Sequence, residues 1–171
     1  MLLKERDFGS EALFIKDFFQ GFFIPSPAIC LIFFTLVFFW ARKNAIPVLG
    51  VCRGAQVINI LLKGRVTQAL DTSHEATRHN VTFITNRETE ICLNLHGTKE
   101  TNSYHSLLIP EESLAAELTP FAFAEDASVE AFIDATHKTI GVLWHPEREI
   151  SVQDHDRAIL QYLFEGGKPC L

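Results

Sequence analysis

The stretch Pro47-Val48-Leu49-Gly50-Val51-Cys52-Arg53-Gly54-Ala55-Gln56-Val57-Ile58-Asn59 passes from a short apolar run straight into a helical pattern. Ala45 to Val51, with its β-branched members, reads as a buried parallel strand. Gly54 to Lys63 follows at once with Val57, Ile58, Leu61 and Leu62 at helical spacing, and Gly64 stands as its C-terminal stop. Between strand and helix lies Gly50-Val51-Cys52-Arg53-Gly54, a G-x-nucleophile-x-G pentapeptide. Such an elbow holds its nucleophile on a tight, strained turn, and Gly50, Gly54 and Ala55 supply the room that the turn needs. Cys52 would then stand at a helix N-terminus, where the positive end of the dipole favours thiolate. The N–H of Arg53 would face the same spot as an oxyanion donor.

A thiol nucleophile needs a base, and the base needs an orienting group. Trp144-His145-Pro146-Glu147 offers both directly after the apolar run Ile140 to Trp144, so His145 would emerge at a strand end. Pro146 stiffens the turn that would hold the Glu147 carboxylate against the imidazole.

Downstream of the elbow helix, Asn80 to Thr85 and Glu90 to Leu95 read as strands around an Asn-Arg-Glu-Thr turn. Pro110 to Leu118 reads as a short helix with acids in its first turn. Phe121 to Glu125, Ser128 to Asp134 and Thr139 to Trp144 read as three strands, the first two joined at Asp126-Ala127. Ser151 to Glu165 closes the pattern as an amphipathic helix, with Ser151 and Asp154 at capping-box spacing. A strand, a helix, several strands and a closing helix predict a three-layer α/β domain.

Four segments taken together, PVLGVCRGAQVIN, TNSYHS, SVEAF and GVLWHPER, resemble the class I glutamine amidotransferases. Their branch typified by γ-glutamyl-γ-aminobutyrate hydrolase, peptidase family C26, is the nearest, and relatives that hydrolyse γ-glutamyl-CDP-amidate share the same combination. The resemblance covers about Ala41 to Leu163. It implies a flavodoxin-like three-layer α/β sheet of the class I glutamine amidotransferase type. It also implies Cys52 as nucleophile, His145 as general base and acid, and Glu147 as the group that orients it. Gln56 matches a residue that contacts the γ-glutamyl group, and Ser103 and His105 match a loop that binds its amino and carboxylate ends. The implied reaction is hydrolysis of a γ-glutamyl amide through a cysteine thioester, with no metal and no organic cofactor. The alternatives are a glutaminase subunit feeding ammonia to a synthase partner, and a catalytically inactive remnant. The family's Gly-Gly loop, source of a second oxyanion donor, has no counterpart before Cys52, so the chain reads as a truncated or disrupted member lacking the first strands of its sheet.

Composition bounds the partners. The 171 residues carry 15 Lys plus Arg against 21 Asp plus Glu, a net charge of -6 that disfavours nucleic acid. A small γ-glutamyl compound is the expected substrate, and a synthase partner or a homodimer stays open. Four cysteines without a CxxC pair fit a reducing, cytoplasmic setting better than a disulfide framework.

Residues 1–40 form an atypical head to a domain of residues 41–171: ten of the 15 phenylalanines lie in the first 39 positions, and Phe18 to Trp40 carries no charge. That run is long enough for a bilayer, but Pro25 and Pro27 break it, and a membrane exit there would press the elbow strand against headgroups. Buried core and a segment foreign to the domain are the other readings.

Several further groups read as structural. His74 and His79 in HEATRH are one residue too far apart to share a metal on a helix, so the stretch reads as a polar loop. His137 and His155 read as solvated, and Glu130 as a structural residue beside a hairpin.

Overall fold

The computed structural model describes residues 13–15, 27–70, 73–84, 93 and 95–165, with side chains from residue 31 onwards. In chain order the elements are β1 (Leu13–Ile15), α1 (Pro27–Lys43), β2 (Val48–Val51), α2 (Arg53–Leu61), β3 (Thr67–Gln68) and β4 (Thr77–Phe83). There follow β5 (Gly97–Ser103), β6 (Leu107–Leu108), β7 (Thr119–Ala124), β8 (Val129–Asp134), β9 (Thr139–Val142) and α3 (Asp154–Phe164).

Seven strands form one sheet in the order β1-β2-β9-β8-β7-β4-β5. β1, β2 and β9 run parallel, with Leu13 opposite Val48 and Val48 opposite Thr139. From β9 outward every pairing is antiparallel. Alternate residues point to opposite faces, and each face carries its own core. On one, Leu49, Val51, Ile140 and Val142 pack with Ile159 and Leu163 of α3. On the other, Val48, Phe132 and Leu143 pack with Phe38 and Ala41 of α1 and Ile58 of α2. The expected three layers are therefore present.

Two close approaches set the spacing of these layers. A Cβ on Gly50 would lie 2.6 Å from Ile58 Cδ1 and 2.9 Å from the Ala55 nitrogen, so α2 can sit on β2 only because that position is bare. A Cβ on Gly141 would meet the Phe132 ring at 2.1 Å, its cross-strand partner in β8.

Several local expectations change. β1 precedes the elbow strand, inside the stretch read as an atypical head. β5 is a strand that no apolar alternation announced, because Gly97 to Asn102 contains no aliphatic or aromatic side chain. The helix expected over Pro110 to Leu118 shrinks to a single 3-10 turn, Glu111–Ser113. Its backbone groups are taken elsewhere: Arg65 N–H donates to the Ser113 carbonyl at 2.8 Å, and Ala115 N–H donates to Asn59 Oδ1 at 2.8 Å. Ser151 does not cap α3; Gln153 is the N-cap residue, and no side chain caps the helix. At the end of α2 the left-handed residue is Lys63, while Gly64 is needed for its contact with the Asn59 side chain. The strand expected over Glu90 to Leu95 and its turn fall largely outside the described residues.

α1 runs through the boundary between the expected head and domain, with Phe38 and Ala41 wholly buried. Its other side exposes Leu31, Ile32, Phe33, Leu36, Phe39 and Trp40. Among the described residues, no helix is long and apolar enough to cross a membrane.

Candidate active site

The elbow forms as the glycine spacing demands. Cys52, between β2 and α2, adopts φ 49° and ψ -107°, a conformation rarely held by a residue with a side chain. Two backbone bonds hold it there: Cys52 N–H donates to the Val142 carbonyl at 2.8 Å, and the Cys52 carbonyl accepts from Gln56 N–H at 3.1 Å. The first ties the elbow to β9 and the second begins α2. The thiol-bearing residue is buried, and Arg53 is the first residue of α2, where N–H groups point out of the helix end.

Val51 and Val142 are register partners and end neighbouring parallel strands, so Cys52 and His145 leave at the same, C-terminal end of those strands. Pro146–Arg148 then form one 3-10 turn, closed by Arg148 N–H on the His145 carbonyl at 3.1 Å. This turn brings Glu147 Oε1 to 2.9 Å from His145 Nδ1. A carboxylate accepts, so Nδ1 carries the proton, and Nε2 is left as the basic nitrogen. Nε2 is buried without a hydrogen-bond partner, so its lone pair is uncommitted.

Asn102, at the end of β5, was not singled out from the sequence. Its amide grips the His145 backbone from both sides: Nδ2 donates to the His145 carbonyl at 2.9 Å, and Oδ1 accepts from His145 N–H at 2.9 Å. The same Nδ2 reaches Glu149 Oε1 at 2.7 Å. Tyr104 places its ring edge-on to His145 at 5.6 Å, and Arg148 lies over the Tyr104 ring at 4.2 Å. The Asn-Ser-Tyr-His segment thus carries two residues that position the histidine. Once buried, a side-chain amide must find several partners, and those of Asn102 lie far away in the sequence.

The remaining site candidates have definite places. Gln56 is buried on α2 and donates through Nε2 to the Leu107 carbonyl at 2.9 Å. His105 Nδ1 is 3.1 Å from that same carbonyl. Ser103 is buried and donates its hydroxyl to the His74 carbonyl at 2.8 Å. Cys52 and the His145–Glu147 pair therefore follow the matching ends of β2 and β9, while Ser103 and His105 belong to a second cluster joined to α2 through Leu107.

That second cluster refines one expectation. His74 lies in the expected loop but is buried there, and His79 follows it on strand β4. Glu130, on β8, is wholly buried, facing His74, His105 and His79 at 3.3, 3.5 and 3.7 Å. Burial alone would raise its pKa, but the facing imidazoles outweigh that and hold its carboxyl well below the usual range. His74 moves the other way: burial opposes its charge, yet Glu130 and Asp126 raise its pKa.

Two further histidines depart from the solvated reading. His155 is buried between Phe83 and Trp144, with ring centroids 5.5 Å away in both cases. His137 joins Arg42 and Asp134 in a partly buried ionic group.

A family model described as Peptidase C26 matches residues 35–147. The chain is 32% identical over 116 residues to anthranilate synthase component 2 of Pseudomonas putida, covering 65% of this chain and 57% of that protein. It is 32% identical over 107 residues to the γ-glutamyl-CDP-amidate hydrolase of Campylobacter jejuni, covering 63% of this chain and 46% of that one. It thus spans about half the length of these relatives. Among solved structures it is similar to a glutamine amidotransferase from Thermotoga maritima, with a TM-score of 0.59 at 18% identity over 74% of this chain and 53% of that one. The fold is accordingly that of the flavodoxin-like class I glutamine amidotransferases, and by its match over residues 35–147 the chain belongs to the Peptidase C26 family.

Proposed function

We propose that this chain is an amidohydrolase that cleaves a γ-glutamyl amide bond through a thioester on Cys52. The reading places the catalytic groups in the domain of residues 41–171, to which the head of residues 1–40 adds β1 and most of α1. The observation that carries it is the buried, unpartnered Nε2 of His145, whose other nitrogen is engaged by Glu147 at 2.9 Å. This imidazole leaves the strand end that neighbours the strained Cys52 elbow.

In this reading Nε2 takes the Cys52 proton and the sulfur attacks the γ-carbonyl, giving a tetrahedral oxyanion beside the Arg53 N–H. The C–N bond then breaks as His145 protonates the departing amine, leaving a glutamyl thioester. Water gives a proton to Nε2 and its oxygen to the acyl carbon, so glutamate leaves and the thiol is restored. Glu147 stays ionised throughout and stabilises the imidazolium. Gln56, Ser103 and His105 are the residues assigned to the glutamyl group.

The similarity to anthranilate synthase component 2 favours a second version of the same chemistry, in which glutamine is the substrate and ammonia passes to a synthase partner. One assay separates the versions. Release of p-nitroaniline from γ-glutamyl-p-nitroanilide by the isolated chain, abolished in Cys52→Ser, is expected for the hydrolase. Turnover of glutamine only after addition of a partner would support the second version. Iodoacetamide alkylation that shows no pH-dependent preference for Cys52 over the other cysteines would overturn both.

A further inference from the structure

The Glu130 cluster is built as though around a missing positive charge. His105 Nδ1 faces the Leu107 carbonyl at 3.1 Å, and a carbonyl only accepts, so Nδ1 holds a proton. His74 Nε2 likewise faces the Asp126 carboxylate at 3.0 Å and carries its proton on that side. In their neutral forms both rings therefore aim a lone pair at one atom, Glu130 Oε1, from 3.5 and 3.3 Å. His105 Nε2, His74 Nδ1 and both Glu130 oxygens are buried without a hydrogen-bond partner. A lone pair facing a carboxylate oxygen in a dry interior is repulsive unless something cationic lies between them.

We propose that His74 Nδ1, His105 Nε2 and a Glu130 carboxylate oxygen bind one divalent metal ion of the zinc class. The three ligand atoms lie within 4.8 Å of one another. At metal–ligand distances of about 2.0–2.1 Å, the edge of a tetrahedral site is about 3.3 Å, close to the two separations to Glu130. The outer partners fit as well. Ligating histidines characteristically donate their second N–H to a carboxylate or a backbone carbonyl, which are the groups Asp126 and Leu107 present here. His79 Nε2, buried without a partner and 3.7 Å from Glu130 Oε2, is placed to complete or support the site. Protonation of His74, which Glu130 and Asp126 favour, is the competing arrangement; it still leaves the His105 lone pair facing Glu130 Oε1 at 3.5 Å. One metal ion satisfies the same orphaned atoms with neutral rings.

The role is structural. Residue 74 precedes β4, residue 105 follows β5 and residue 130 lies in β8, so the ion would pin the hairpin and its Asn-Ser-Tyr-His end to the middle of the sheet. The Cys52 chemistry does not rest on this assignment, whose readouts are metal content and spectra, but His105 would then be held by the ion and not by the glutamyl group. Since Cys52 and His145 are themselves capable ligands, the test uses the full chain in both wild-type and Cys52→Ser forms.

After expression with zinc and removal of loosely bound metal, both forms are expected to retain about one zinc per chain. Cobalt substitution should give tetrahedral d–d bands without thiolate-to-cobalt charge transfer. Asp126 sits on a partly exposed turn where it also accepts from Ser128; Asp126→Asn takes the charge from this outer partner and is expected to weaken zinc affinity about 10- to 100-fold. Glu130→Gln should abolish retention. The proposal is overturned if wild-type and Cys52→Ser chains hold only traces of metal and added Zn2+ leaves their Tm unchanged. It is equally overturned if the cobalt spectrum shows charge transfer that Cys52→Ser removes, which would put the metal on the nucleophile.

Discussion

Asn102 shows how much of this site depends on one amide. It meets both backbone groups of His145 at 2.9 Å, so the position of this imidazole is fixed from β5 as well as from β9. Replacing it by alanine leaves a buried N–H and carbonyl unpaired, at a cost of about 2 kcal/mol. A displacement of about 1 Å at His145 is enough to lower turnover about 100-fold. Asn102→Ala is therefore expected to reduce kcat far more than it raises KM, measured by steady-state hydrolysis beside a urea titration. A loss of stability with kcat unchanged would reduce Asn102 to a structural role. The candidates Cys52, His145 and Glu147 could be named from the sequence because each sits in a short, strongly patterned motif. Asn102 could not, since its partners are backbone atoms 43 residues away that no local pattern encodes.

At the scale of elements, β2, α2, β7, β8 and β9 could be read from apolar runs and turn residues, because burial on a sheet face or under a helix leaves that imprint. β5 could not: its partners in the pairing with β4 are Thr, Arg, His and Asn over much of its length, and most of the hairpin faces solvent. The Pro110 helix failed for the opposite reason, since its local propensity was favourable but Asn59 and Arg65 claimed its backbone. α1 is held at its C-terminal end by a charge pair read from neither side. Arg42 Nη2 lies 3.1 Å from Asp134 Oδ2, both side chains largely buried, and 2.8 Å from Glu117. Removing one partner of a buried pair leaves the other uncompensated. Arg42→Ala is accordingly expected to destabilise the chain by about 3 kcal/mol in urea unfolding. Asp134→Asn in the same background should restore part of that loss.

For the whole molecule, two adjacent buried groups set opposing pH dependences. Burial, with the carboxylates of Glu149 and Glu147 nearby, raises the Asp156 pKa to about 6, although the Trp144 indole donates to it at 2.8 Å. Its stabilising contribution is complete below the ordinary carboxylate pKa and is lost as pH rises through about 6. Burial, aided by Lys99, lowers the His155 pKa to about 4. Its contribution is complete above the ordinary histidine value and is lost as pH falls through about 4. Between pH 4 and 6 the two slopes oppose each other. Asp156→Asn, which keeps an acceptor for Trp144, should uncover the histidine alone. Its unfolding free energy is expected to climb with pH across that window by up to the order of 3 kcal/mol relative to wild type, measured by urea denaturation at stepped pH. Parallel profiles for the two chains would refute the assignment.

Helix α1 carries one last practical consequence. The chemical frontier in the sequence falls at Trp40, where the uncharged run stops, yet Phe38 lies on the near side of it and is fully enclosed against Ile58 and Phe132. An expression clone started at Ala41 to escape the greasy stretch would open a hole under the very helix that begins at Cys52. Any trimming should stop upstream of Phe34, at the cost of keeping a sticky surface.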